Sequence, residues 1–279
     1  MTYYQLLAIL SSLIVVALEL TLRALQRERD QGWFLSMLGS LVGGIILLPF
    51  VPFSSFNLDP LTTALLVIAG ATWAISIIAE YKSHVSLQVG VGVLISSCRT
   101  VLLVFIGALF FGENFTLWDT CGTIFTLAGV ILACPAHRGA SLAGIGLRLL
   151  SIAASSAAII TEKVLAQRTA IEIIIVGGYL IPAVIYLVAR PCNWREQCVL
   201  GSTKRRSLIG LYAILYTLMG PVFVVAFAFG NLGETFVISQ CRPVLIMAFG
   251  AILLHERSHI PRQCVAMTVT LVGLYLLTY

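Results

Sequence analysis

Charged residues are scarce in this chain. Aspartate, glutamate, lysine and arginine make up 10% of its 279 residues, whereas a soluble domain has roughly 25%. Hydrophobic residues account for 59%, and the mean hydropathy is +1.01. The segments between the apolar runs are too short to form a soluble domain. The composition therefore indicates an integral membrane protein.

Two kinds of chemical motif are also missing. The sequence has no glycine-rich phosphate-binding loop, which excludes an ATP-driven pump. None of the seven cysteines has C-x-x-C spacing, so they predict no metal site, and we expect no cofactor. The net charge of +5 lies mainly in loops. It therefore bears on membrane orientation and does not indicate a nucleic-acid partner.

Apolar segments of about 20 residues recur along the whole chain, each long enough to cross about 30 Å of hydrocarbon as a helix. We predict an all-α integral membrane protein with about ten transmembrane helices. The predicted spans are 4–22, 33–51, 61–79, 86–111, 116–134, 144–163, 171–189, 207–228, 233–255 and 260–278.

The basic residues predict an orientation. Three arginines lie between positions 23 and 29, and five basic residues lie between 190 and 206. With ten spans these loops share one side, and the opposite side carries only Lys163 and Arg168. The positive-inside rule then places the basic loops in the cytoplasm and both termini outside.

The sequence repeats itself at an offset of 143 residues. Residues 90–113 align with 233–256, and ten of the 24 aligned residues are identical. The same offset pairs Ser12 with Ser155. We predict two five-helix repeats, residues 1–137 and 138–279. Because five is odd, the second repeat enters the membrane in the opposite direction, as in many secondary transporters.

The stretch HERSH matches the zinc-peptidase pattern H-E-x-x-H through His255, Glu256 and His259. Two histidines four apart can hold zinc, with the glutamate as general base. Glu256, however, is the repeat partner of Glu113, and Pro261 places the end of a continuous helix close by. After His259 there is no aspartate or glutamate for a third ligand. We favour a polar turn at a helix end, with an intramembrane zinc protease as the alternative.

Residues 105–133 and 248–277 share one pattern. Each block has a helix ending in glutamate, a short turn, and a helix with a glycine near its end, Gly129 or Gly273. With the ten spans and the duplication, the chain resembles the drug/metabolite transporter superfamily, specifically its EamA-type ten-helix members. The resemblance implies a small-molecule transporter whose fourth and ninth helices line a central cavity. It also implies cytoplasmic termini, in contrast to the charge distribution.

Arg99 and Arg242 take equivalent places near the middle of spans four and nine. Arginine at that depth costs at least about 2.5 to 3.5 kcal/mol and usually faces a partner or a water-filled cavity. We predict that both face the central cavity, where a guanidinium can hold a carboxylate or phosphate through two parallel hydrogen bonds. The alternative is that each arginine is neutralised within the protein and ties helices together.

Glutamates and aromatic residues complete the predicted site. Glu19 and Glu162 are repeat partners, and a glutamate lining a pathway can bind an ammonium group or relay a proton. Arg23, one turn after Glu19, favours an interfacial ion pair instead. Aromatic residues in spans can line a cavity or simply pack. The predicted substrate-binding residues are Arg99, Arg242, Glu19, Glu162, Trp73, Tyr212 and Tyr216.

These features predict a secondary transporter of a small polar metabolite that works by alternating access. Amino-acid-like export is the first hypothesis, because arginines and glutamates together suit a zwitterion. Exchange of phosphorylated anions such as nucleotide sugars is the second, and export of lipophilic cations is the third. We expect a small-molecule substrate, the lipid bilayer as surroundings, and a multi-pass location in a bacterial inner (plasma) membrane. A homodimer is left open.

Overall fold

The computed structural model of the chain describes most of the predicted spans. The described residues are 3–26, 31–52, 59–87, 92, 95–96, 98–111, 117–133, 141–189, 191, 194–198, 200–229, 242, 245–246, 249 and 260–276. Within them every regular element is helical and there is no strand. The predicted all-α fold is confirmed.

The helices are labelled in chain order. They are α1 (Tyr3–Gln26), α2 (Gly32–Leu47) with a 3₁₀ turn at Leu48–Phe50, α3 (Pro60–Ser86), α4 (Cys98–Phe111), α5 (Leu117–Ala133), α6 (Leu142–Leu165), α7 (Ile171–Val188), a single turn at Trp194–Gln197, α8 (Thr203–Phe229) and α9 (Ile260–Leu276). Arg242, Leu245, Ile246 and Phe249 are also helical, and we call these four residues the Arg242 segment.

Six described stretches are long and apolar enough to cross a membrane, so the protein is a multi-pass membrane protein. Two shorter apolar helices, Thr120–Gly129 and Cys264–Gly273, lie in α5 and α9. The six longer stretches are Leu6–Leu25, Gly32–Phe50, Pro60–Ser83, Leu142–Leu165, Ile171–Val188 and Thr203–Ala226.

The predicted boundaries are wrong around α3. The helix does not end at 79 but continues to Ser86, where the fourth span was expected to begin. In the structure Glu80 stays inside the helix because Arg148 of α6 neutralises it, with Nη1 2.8 Å from Oε1.

Local sequence signals explain where the long helices begin. Asp59 caps α3, because its carboxylate accepts a hydrogen bond from the Thr62 amide at 3.1 Å, and Pro60 occupies the first turn. The hydrogen bond from the Thr62 side chain, together with the weaker contribution of the Thr62 amide, lowers the pKa of Asp59. Ser141 caps α6 in the same way, accepting from the Gly144 amide at 3.0 Å.

The helices pack in pairs that match under the repeat offset. The contacts of α3 with α6 correspond to those of α1 with α8, and the contacts of α3 with α7 correspond to those of α2 with α8. The pairs α2 with α7 and α5 with α9 each join equivalent helices of the two halves. This packing is what two equivalent five-helix units would produce. The proposed division at 137/138 remains a prediction.

Candidate substrate-binding cavity

A cavity of about 160 Å³ lies between helices of both halves. At about 30 Å³ for each water molecule, it has room for roughly five waters or one small metabolite. Among the described helices, α1, α3, α4, α6, α7 and α8 contribute lining residues. The lining residues of α3, for example, are Trp73, Ile77, Glu80 and Tyr81, which have the spacing of a single helical face.

The lining residues come largely from equivalent positions of the two halves. Six pairs of lining residues are 143 positions apart in the sequence, which is the repeat offset. Equivalent residues of the two halves therefore line the same cavity. The pairs are Glu19 and Glu162, Trp73 and Tyr216, Ile77 and Gly220, Glu80 and Phe223, Tyr81 and Val224, and Arg99 and Arg242.

The structure brings six of the seven predicted site residues together. Those that line the cavity are Arg99, Arg242, Glu19, Glu162, Trp73 and Tyr216. Tyr212 is not among the lining residues. It is fully buried, its hydroxyl contacts the hydroxyl of Tyr81, and its ring stacks on Tyr216 with centroids 5.7 Å apart. Tyr212 lies one helical turn before Tyr216, and it packs in the core behind the cavity wall.

Arg242 is held against α1 by two serines. Its Nε donates to Ser12 Oγ at 3.2 Å, and its Nη2 donates to Ser11 Oγ at 3.0 Å. Its guanidinium carbon lies 5.7 Å from the centre of the Phe223 ring, within cation–π range. These contacts fix the position of the cation at one side of the cavity.

Arg99 has different surroundings, although it is the repeat partner of Arg242. Where Arg242 has Phe223, the equivalent position holds Glu80. Among the described residues, the Nε atom of Arg99 is buried and has no hydrogen-bond partner. A buried guanidinium N–H without a partner is rare in proteins and calls for an explanation.

Glu80 and Arg148 form an ion pair that the sequence analysis missed, in which Arg148 is buried and Glu80 is partly exposed. Arg148 is 2% exposed, and besides the ion pair its Nε donates to Ser96 Oγ at 2.8 Å and to the Gly92 carbonyl at 3.0 Å. The pair therefore connects α3, α6 and the residues that precede α4. The spacing of Trp73, Ile77 and Glu80 on one helical face would have been the signal for Glu80, had the predicted span not ended at 79.

Glu162 is buried, at 3% exposure, at the wall of the cavity. The indole N–H of Trp73 donates to its Oε1 at 2.7 Å. Its Oε2 is buried and has no hydrogen-bond partner within the described part of the chain. One carboxylate oxygen is thus left for a ligand or a proton, as expected if the cavity holds a cationic group.

Tyr179 was also missed, and its hydroxyl contacts the backbone of α8 beside Pro221, which lies inside that helix. Pro221 has no amide hydrogen, so the carbonyl of Thr217 loses its helical partner. The Tyr179 hydroxyl donates to the carbonyls of Tyr216, at 2.6 Å, and Thr217, at 3.1 Å, and it accepts from the Gly220 amide at 3.0 Å. From the sequence, Pro221 indicates that the Thr217 carbonyl loses its helical partner, but not which residue replaces that partner.

The HERSH stretch lies outside the described residues, as does Glu113. The described residues contain no group of three histidine, cysteine, aspartate or glutamate side chains arranged to hold a metal ion.

The fold resembles a solved structure. A crystal structure of another protein superposes with a TM-score of 0.64, covering 99% of this chain and 98% of the other at 14% sequence identity. Identity at this level shows a shared fold. A search of the curated proteins gave no significant match.

Residues 2–134 match the family model of the EamA-like transporter family. Members of this family are membrane transporters of small molecules and are not enzymes. Over residues 2–134 the chain is therefore similar to the EamA-like transporter family, which belongs to the drug/metabolite transporter superfamily.

Proposed function

We propose that this protein is a secondary transporter that exports a small zwitterionic metabolite, such as an amino acid, by alternating access between its two halves. The observation that carries the proposal is the presence of charges of both signs in one small cavity. Arg99, Arg242 and Glu162 line the same space of about 160 Å³.

The charges suit the two ends of an amino acid. A guanidinium can hold the carboxylate through two parallel hydrogen bonds, and Arg99 has a buried N–H without a partner among the described residues. The Oε2 atom of Glu162 is also buried without a partner among the described residues, and it can accept a hydrogen bond from an ammonium group. The cavity volume favours a single small metabolite over a nucleotide sugar.

The first experiment is thermal stability of the detergent-purified protein across a metabolite library. A ligand at 100 times its dissociation constant adds about 2.7 kcal/mol to the free energy of unfolding. The wild type is compared with an Arg99→Gln, Arg242→Gln double variant. Arg206→Gln is the matched control, because Arg206 is exposed at the start of α8.

We expect amino acids to stabilise the wild type and the control but not the double variant. If the same ligands stabilise all three proteins, the arginines do not bind the substrate and serve only as structural links. Stabilisation by phosphorylated sugars and not by amino acids would establish the second hypothesis, exchange of phosphorylated anions.

Transport itself is measured by counterflow in proteoliposomes. Vesicles loaded with unlabelled metabolite should accumulate the labelled form, since an exchange-competent carrier equilibrates label without net flux. A wild-type protein that exchanges none of the stabilising metabolites would contradict the transport proposal. Stoichiometric zinc that disappears with His255→Ala would instead support the protease alternative.

A further inference from the structure

The ion pair of Glu80 and Arg148 lies within two membrane-spanning stretches. Glu80 belongs to Pro60–Ser83 and Arg148 to Leu142–Leu165. The Arg148 side chain is 3% exposed, whereas the Glu80 side chain is 24% exposed and lines the cavity. Charged residues inside a membrane are costly, and they usually mark a substrate pathway. The carboxylate is therefore the end of this pair that faces the cavity.

Arg148 is held close to Arg99. Its Nε donates to Ser96 Oγ at 2.8 Å and to the Gly92 carbonyl at 3.0 Å. Ser96 lies only three positions before Arg99 in the sequence. Arg99 lies within electrostatic range of both Arg148 and Glu80. The charge of Arg148 would therefore add to that of Arg99 if Glu80 did not cancel it.

The packing of the helices does not require this pair. Under the repeat offset, the contact of α3 with α6 corresponds to the contact of α8 with α1. The other half has Phe223 at the position equivalent to Glu80 and Gln5 at the position equivalent to Arg148. An equivalent interface therefore forms without two charges. A charged pair in one half only, beside Arg99, indicates control of the charge in the cavity.

We propose that Glu80 and Arg148 set the charge selectivity of the cavity, an inference that rests on the proposed transport function. Because Glu80 cancels the charge of Arg148, the carboxylate of the substrate meets Arg99 without a further cation behind it. A zwitterion is then preferred to an anion of the same shape, because the anion lacks the ammonium group that the glutamates of the cavity attract. Glu80 and Arg148 are positioning residues, which act through the electric field at Arg99.

The experiment measures the binding of three molecules of similar shape by calorimetric titration. They are L-leucine, 4-methylpentanoate, which lacks the amino group of leucine, and 3-methylbutan-1-amine, which lacks its carboxylate. Their apolar part suits the apolar lining residues, which include Ile77, Met219 and Val224. The proteins compared are the wild type, Glu80→Gln, Arg148→Gln and the double variant.

The two single variants should act in opposite directions. Glu80→Gln leaves the charge of Arg148 uncancelled, so we expect the affinity for 4-methylpentanoate to rise about tenfold and that for the amine to fall about tenfold. Arg148→Gln leaves the charge of Glu80 uncancelled and should reverse both changes. The double variant has no uncancelled charge and should return both affinities to those of the wild type. Leucine carries both charges, so its affinity should change least.

A pair that only joins helices would behave differently, because both single variants would weaken all three ligands and the double variant would not recover. Glu172→Gln and Arg206→Gln are the controls, since both residues are exposed and neither lines the cavity. Where a single variant does not fold, the variant Glu80→Arg with Arg148→Glu keeps an ion pair but turns its cation toward the cavity. It should bind 4-methylpentanoate more tightly, relative to the amine, than the wild type does.

The inference is overturned if the two single variants shift the ratio of anion to amine affinity in the same direction or leave it unchanged. A wild type that binds leucine, without these opposite shifts in the variants, contradicts only the charge selectivity. Opposite shifts without leucine binding or counterflow support the charge selectivity and contradict the transport of a zwitterion. Proteins that bind none of the three molecules contradict both proposals.

Discussion

At the scale of single residues, the site contains buried polar atoms, for which the membrane interior offers few hydrogen-bond partners. Glu162 has one oxygen on the indole of Trp73 and one without a partner among the described residues. The Tyr179 hydroxyl, by contrast, is hydrogen-bonded to three backbone groups of α8. The first arrangement suits ligand binding, and the second suits stability.

Glu162→Gln tests the ammonium site. If Glu162 binds the amino group, this change should weaken binding of an amino acid at least about tenfold, because a charge-assisted hydrogen bond is lost. Binding of the corresponding deaminated carboxylic acid should not change. Calorimetric titration measures both, with the exposed Glu172→Gln as control. Equal weakening for both ligands would contradict the assignment.

Tyr179→Phe tests the support of α8. The hydroxyl accepts from the Gly220 amide and donates to two carbonyls near Pro221. Its removal should lower the free energy of unfolding by about 1 to 3 kcal/mol, the usual cost of unsatisfied buried polar groups. Thermal unfolding of the purified protein measures the loss. Tyr3→Phe should be neutral, because Tyr3 is 73% exposed; equal losses in both variants would argue against the hydroxyl contacts.

At the scale of elements, small residues set how closely the helices approach. In a bilayer the hydrophobic effect does not drive helices together, so close packing and interhelical hydrogen bonds take its place. Ser76 of α3 donates to the Ser151 carbonyl of α6 at 2.9 Å. Between α5 and α9 the close approach depends on Gly129, which lies against Ala266 and Thr270.

Gly129→Ala should separate α5 from α9. An added Cβ would lie 2.7 Å from the Ala266 carbonyl oxygen, so the backbone of α9 would have to move. We expect a loss of about 1 to 3 kcal/mol, as for other overpacked sites. The control is Gly146→Ala in α6, where an added Cβ meets nothing within 4 Å and should stabilise the helix slightly. Similar unfolding temperatures for both variants would show that α5 and α9 are not in close contact.

At the scale of the whole molecule, the helices divide their faces between cavity, core and lipid. On α8, Tyr216, Gly220 and Phe223 line the cavity. Leu211, Ile214 and Leu218 are exposed, and their spacing places them on one stripe of the same helix. In a multi-pass membrane protein this stripe faces the lipid.

Ile214→Arg should impair membrane insertion. Ile214 is 57% exposed near the middle of α8, and arginine at the bilayer centre costs about 2.5 to 3.5 kcal/mol on insertion scales. We expect little folded protein in the membrane fraction, measured by fluorescence-detected gel filtration. Ile214→Ala should be tolerated. Normal yield of the arginine variant would show that this face contacts water or another protein.

Features that depend on the order of residues along the chain were predictable from the sequence. Apolar runs define the helices because a membrane span must satisfy its backbone internally over a set length. The offset of 143 residues pairs Arg99 with Arg242, and the structure places both at one cavity. Duplication preserves the order of residues, so equivalent positions can be found without knowing the fold.

Only the tertiary structure decided which face of each helix meets which neighbour. Glu80 and Arg148 are 68 positions apart and carry no shared motif, yet α3 and α6 pack so that their charges meet at 2.8 Å. Tyr212 and Tyr216 look alike in the sequence, but one packs in the core and the other lines the cavity. Hydropathy measures how apolar a helix is, whereas its rotation and its partners are set by side-chain packing between distant segments.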